Sequence, residues 1–106
     1  MDDVTATRLA LNEARFRELN ERLASDVAPL LAPAEAVAFV CECSSAACRD
    51  TVALTLDQYA VVRADDLLFA VVPGHQVPEV ESVERREDTF VVVRKRRGQD
   101  VVRRSR

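Results

Sequence analysis

The chain has no tryptophan, one histidine, one methionine, three cysteines and only two glycines in 106 residues. Each scarcity excludes something. Gly74 and Gly98 alone cannot form a glycine-rich loop around a phosphate, which needs several positions where the backbone approaches the ligand without a Cβ. A serine triad would have to use His75 as its base, and neither Ser44 nor Ser45 stands in a nucleophile-elbow setting. An odd number of cysteines argues against a purely intramolecular disulfide framework. Aromatic residues are confined to Phe16, Phe39, Tyr59, Phe69 and Phe90, so valine, alanine and leucine must fill most of the core, and the valines favour strands. No apolar run approaches the roughly 18–20 residues needed to span a bilayer. The opening Met1-Asp2-Asp3-Val4 is acidic where a secretory signal would be basic. These features lead us to expect a cytoplasmic protein with no membrane partner, in which thiols serve metal binding or redox chemistry rather than structural disulfides.

What is present fits one small domain. Apolar residues make up 48% and charged residues 31% of the chain, the balance of a folded rather than a disordered protein. At this length a core is thin, and a metal tying distant segments together would add useful stability. Residues 3–23 are predicted to form an amphipathic helix, with Leu9, Phe16, Leu19 and Leu23 as its apolar stripe. Glu13–Arg17 and Glu18–Arg22, acid before base at i,i+4, are expected on its solvated flank. Ser25-Asp26, Pro29 and Pro33 are expected to end it. The helix docks on a sheet or, in the alternative, pairs with a second copy as a short coiled coil, giving a homodimer.

Val37, Phe39 and Cys41 alternate on one face of a predicted strand, and Val52-Ala53-Leu54 forms another. Thr55-Leu56-Asp57-Gln58 has the form of a capping box opening a short helix to about Ala64. The continuous run Leu67–Val72 reads as a buried central strand stopped by Pro73-Gly74. Two further strands, about Val80–Arg85 and Thr89–Arg94, form a hairpin. The fold class is α+β, with a mostly antiparallel sheet of about four or five strands around a zinc knuckle. The domain is placed at residues 1–95, followed by a basic tail at 96–106.

The run Cys41-Glu42-Cys43-Ser44-Ser45-Ala46-Ala47-Cys48, with Pro73-Gly74-His75, holds every cysteine and the only histidine. Three thiols and one imidazole complete a tetrahedral zinc set. Cys41 and Cys43 leave the same face of an extended backbone, and the small residues 44–47 suit a tight turn that folds Cys48 back. Amides of that turn can donate to the thiolates. Glu42 should point to the opposite face. Glu79 and Glu81, after the Gly74-His75 turn, are candidates for second-layer contacts to the imidazole. With all four positions filled the site is closed, and no histidine remains for proton transfer, so an enzyme is not expected.

Charge is unevenly spread. Residues 94–106 carry seven basic side chains against Asp100, leaving a strongly acidic body. Arg94, Lys95, Arg96, Arg97, Arg103 and Arg104 are candidates for phosphate contact. The acidic body and the lack of a stacking platform argue against nucleic acid as a partner.

Four pieces carry a resemblance: residues 9–21, the Cys-x-Cys-x4-Cys run from Phe39, residues 54–63, and Phe69–His75 with Pro78-Glu79. On these the chain resembles a group of small uncharacterised bacterial proteins from high-GC genomes, over roughly residues 7–93. Members of that group commonly carry an acidic turn between the second and third cysteines, where this chain has Ser44-Ser45-Ala46-Ala47. The resemblance implies no activity, substrate or partner. From the residues we expect a non-catalytic zinc-binding module that regulates or interacts with a protein partner. The alternatives are a thiol redox or metal sensor and a nucleic-acid accessory protein acting through the basic tail.

Overall fold

A computed structural model describes residues 3–32, 34–43, 45 and 47–96. The fold is α+β: helix α1 (Asp3–Val27), a 3-10 turn (Ala28–Leu30), strands β1 (Ala36–Val40) and β2 (Thr51–Thr55), helix α2 (Leu56–Arg63), and strands β3 (Leu68–Val71), β4 (Glu81–Arg86) and β5 (Val91–Lys95). All strand pairing is antiparallel, in two sheets: β1-β2, and β3-β5-β4. Among the described residues no helix is long and apolar enough to cross a membrane.

Alternate residues from Phe90 to Val93, at the start of β5, face opposite ways. Phe90 and Val92 join Val37, Phe39, Val52, Leu54, Tyr59 and Val62 in one apolar cluster. Val91 and Val93 join Phe69, Val71, Cys41 and Cys43 in the other. Burial on both faces explains why this strand is a continuous valine run rather than an alternation. Thr55 caps α2 as its sequence predicts: its hydroxyl accepts from the Gln58 amide, and the Gln58 side chain accepts from the Thr55 amide.

The expected middle strand is not the middle one. β5 is central, and β3 lies at the sheet edge. It can still be fully buried and apolar because other segments satisfy its outer polar groups. The Arg17 guanidinium donates to the Leu68 carbonyl. Glu42 takes both groups of Ala70, its amide donating to the carbonyl at 2.8 Å and its Oε1 accepting from the amide at 2.9 Å. The Val72 amide donates to Cys41 Sγ at 3.2 Å. An unpaired edge would invite another strand; these contacts close it.

Helix α1 differs from expectation in length and in rotation. It runs through Ser25-Asp26 to Val27 and stops where Pro29 enters the 3-10 turn. Its inward face carries Glu13, Arg17, Asn20 and Ala24, all buried, while Leu11 is 62% and Leu19 49% exposed. Glu13 and Arg17 are therefore not on the solvated flank. The side chain of Leu9 lies outside the described residues. The physical reason is the surface under the middle of α1, which offers backbone carbonyls and amides to Arg17 and Asn20 and the Lys95 ammonium to Glu13, while Ala24 joins the apolar cluster. Arg17 donates to the carbonyls of Val62, Arg63 and Asp65 at the end of α2. It also stands 5.2 Å over the Phe69 ring. A cation there meets the last carbonyls and the negative pole of α2. Asn20 brackets Val40, accepting from its amide at 2.8 Å and donating to its carbonyl at 2.7 Å.

Candidate metal centre

Each cysteine and the histidine reach the centre from the end of a strand. The ladder between β1 and β2 extends one step, the Cys41 amide donating to the Asp50 carbonyl at 3.0 Å. Residues 41–50 are thus a hairpin loop whose mouth is fixed. Cys41 and Cys43 leave its first limb, and the Cys48 amide turns back onto the Ser45 carbonyl at 3.2 Å. Ser44 and Ala46 lie outside the described residues. His75 arrives from the turn after β3, where its amide donates to the Val72 carbonyl at 2.9 Å. Pro73 and Gly74 fill the corner, with Gly74 at φ 97°. This is the geometry of a turn with proline at its second position and a residue of positive φ at its third, which glycine adopts without strain.

The three sulfurs and an imidazole nitrogen all lie within 4.8 Å of one another, an arrangement able to hold a metal ion. His75 Nδ1 is 3.5 Å from Cys41 Sγ and 3.6 Å from Cys48 Sγ. All three cysteines are free thiols rather than disulfides. Cys41 and Cys43 are buried and Cys48 is half-buried. Burial pushes the Cys41 thiol up, opposed by the amides of Val72 and Cys43, and burial likewise pushes Cys43 up, opposed by the Ser45 amide. Two buried sulfurs that resist ionisation in an apolar surrounding call for a nearby positive charge if they are to act as thiolates.

Outside this ring, the carboxylate facing the imidazole is Asp50, its Oδ2 3.5 Å from His75 Nε2. Glu79 is exposed. Glu81 is buried, with its Oε1 accepting from the Val77 amide at 2.8 Å. Asp50 thus stands where either glutamate was expected, because β4 turns Glu81 toward α1. Asp50 was discoverable in sequence only through the hairpin register, which places it opposite Cys41.

Glu42 does face away from the cysteines, but into the interior. Its Oε2 accepts from the Tyr59 hydroxyl and from Asn20 Nδ2, and its Oε1 from the Ala70 amide. Burial raises its pKa; the Tyr59, Asn20 and Ala70 hydrogen bonds and the Arg17 charge oppose the rise. Burial, then the Glu42 charge, raises that of Tyr59, whose ring stacks on Phe39 at 4.4 Å between centroids. Glu42 lies between the Cys/His corner and the core.

The basic candidates separate into three groups. Arg94 pairs with Asp65 at 3.0 Å and Glu84 at 3.1 Å. Lys95 is buried against Glu13 at 2.8 Å, and Arg96 donates to the Glu79 carbonyl. Arg97, Arg103 and Arg104 lie outside the described residues.

Against this geometry, no protein-family model matches the chain, nor does any curated protein or solved structure.

Proposed function

We propose that Cys41, Cys43, Cys48 and His75 bind one Zn2+ and that the metal is structural, in a non-catalytic module that works by contact with a protein partner in a reducing, cytoplasmic setting. The observation that carries the metal reading is a pair of distances. Zn–S bonds of about 2.3 Å and a Zn–N bond of about 2.0–2.1 Å at tetrahedral angles put sulfur and nitrogen about 3.5 Å apart. The two measured separations are 3.5 and 3.6 Å. The donor set supports zinc over a harder ion, since three thiolates and an imidazole suit a borderline-soft cation. Asp50 at Nε2 supports Nδ1 as the ligating nitrogen, because an acceptor on the far side fixes that tautomer.

The structural role follows from what the four ligands join. They tie the β1–β2 hairpin to the turn after β3, two sheets that share no ladder. Four protein ligands leave no coordination position for water. Elemental analysis of the full chain purified under reducing conditions tests the reading. One zinc per chain is expected, falling below one tenth of that in His75→Ala. Equal zinc content in the two proteins, or none in either, would reject it.

A further inference from the structure

An open cleft of about 540 Å³ lies over the centre, lined by residues that include Cys43, Cys48, Asp50 and His75 but not Cys41. The three sulfurs are therefore unequal. Cys41 sits behind the site, fully buried, and takes the Val72 amide. Cys43 lines the cleft but is only 3% exposed. Cys48 is the half-buried sulfur on the cleft wall, beside Arg49. Amide hydrogen bonds and burial both reduce the nucleophilicity of a thiolate, whereas access and a neighbouring cation favour attack.

We infer that the centre is a peroxide-labile latch in which Cys48 is oxidised first and Cys43 resolves it. This rests on the zinc reading above. The Cys48 thiolate attacks one oxygen of hydrogen peroxide. The S–O bond forms, the O–O bond breaks, and hydroxide leaves and takes a proton to become water. Sulfur loses two electrons to peroxide and becomes a sulfenic acid. The Cys43 thiolate then attacks the Cys48 sulfur, forming the S–S bond and breaking the S–O bond, and a second hydroxide leaves to be protonated. Two of four ligands are lost as thiolates and Zn2+ dissociates. The small loop between them allows the closure, since Ser45 and Ala47 present no bulk to the cleft. Cys41 and His75 stay in place, so a thiol reductant and zinc restore the site. The Val72 amide on Cys41 and the Glu42 contacts beneath it hold the rest of the fold during the cycle.

The experiment begins with the zinc content of the reduced full-length protein and then adds hydrogen peroxide. Released zinc is read with a chromogenic chelator, and each cysteine by differential alkylation and peptide mass spectrometry. Cys48 should lose its free thiol roughly ten times faster than Cys41. A Cys43–Cys48 disulfide should accumulate in step with zinc release, and reductant with zinc should reverse both. Modification of Cys41 first, equal rates at all three, or oxidation without zinc release would overturn the latch while leaving the zinc site standing. A protein that holds no zinc before peroxide is added would overturn both. Ala47→Leu, which narrows the cleft without removing a ligand, should slow zinc release several-fold at unchanged zinc content; an unchanged rate counts against access through the cleft.

Discussion

At the Cys/His corner four donors from two separate segments converge on one point, whereas along the inner face of α1 Glu13, Arg17 and Asn20 each meet a different part of the protein. Both regions bury polar groups, and the contrast lies in how the charge is met. The corner concentrates sulfurs whose ionisation burial opposes, and one cation would satisfy them together. The helix face distributes its groups, so that each finds local partners: a helix end for Arg17, a strand edge for Asn20, a lysine for Glu13. A concentrated site stands or falls with its metal. A distributed one should lose stability stepwise. Glu42 touches both, reaching Asn20 on one side and Ala70 beside the Cys41–Val72 contact on the other.

The sharpest way to test the contrast is to withhold zinc from the proposed site. Chelation, or Cys41→Ser, should lower the melting temperature by more than about 10 °C, because binding free energy at a structural zinc site is folding free energy. Calorimetry with and without chelator reads this; an unchanged melt would mean that the distributed contacts suffice alone. Next in size is Glu42→Ala. It strands the Ala70 amide and the Tyr59 hydroxyl and should cost about 3–5 kcal/mol in denaturant unfolding. Zinc content should stay at one per chain; loss of zinc would show that corner and core are a single cooperative unit.

Arg17→Met should cost about 2–3 kcal/mol by the same measurement, with zinc unchanged, since it removes a charged donor to the carbonyls of Val62, Arg63, Asp65 and Leu68 while keeping an apolar side chain at the same place. A cost below 0.5 kcal/mol, the scale of an exposed residue, would place Arg17 back on the solvated flank.

How much of this could be read in the sequence differs between the regions for a physical reason. Few residue types ligate zinc, so Cys41, Cys43, Cys48 and His75 stood out as a complete set, and Pro73-Gly74 announced the turn that carries the histidine. The capping box at Thr55–Gln58 was legible because its partners are local. Glu13, Arg17 and Asn20 were not, because hydrophobic periodicity scores side chains against an apolar surface. Their partners are backbone groups of α2, β1 and β3 for Arg17 and Asn20 and the Lys95 side chain for Glu13, which only tertiary structure brings under the helix. The one available signal was shared spacing: Glu13, Arg17, Asn20 and Ala24 recur at four, three and four, a register as regular as the leucine stripe. The same limit misplaced β3. A wholly apolar run implies burial, and burial was met at an edge closed by Arg17, Glu42 and Cys41 rather than by a neighbouring strand.

The last test concerns Glu13 and reads a pH slope rather than the loss of a contact. Its Oε2 and that of Glu81 have no donor unless one carboxyl carries a proton. Burial, then the Glu81 hydrogen bond and charge, push Glu13 up from 4.5 to about 9, against the pull of Lys95. The folded chain therefore holds this proton over an interval in which the unfolded chain has lost it. Stability should fall as pH rises from about 4.5 towards 9. Glu13→Gln, which keeps a donor for Glu81 and an acceptor for Lys95, should flatten that slope in melts across the range. An unchanged slope would assign the pH dependence elsewhere.

X-ray absorption at the zinc edge of the purified, reduced full-length protein tests the central claim most directly. The account predicts one zinc per chain, with three sulfur neighbours at about 2.3 Å and one nitrogen at about 2.0–2.1 Å. A first shell of oxygens, or of fewer than three sulfurs with no imidazole nitrogen, would contradict it.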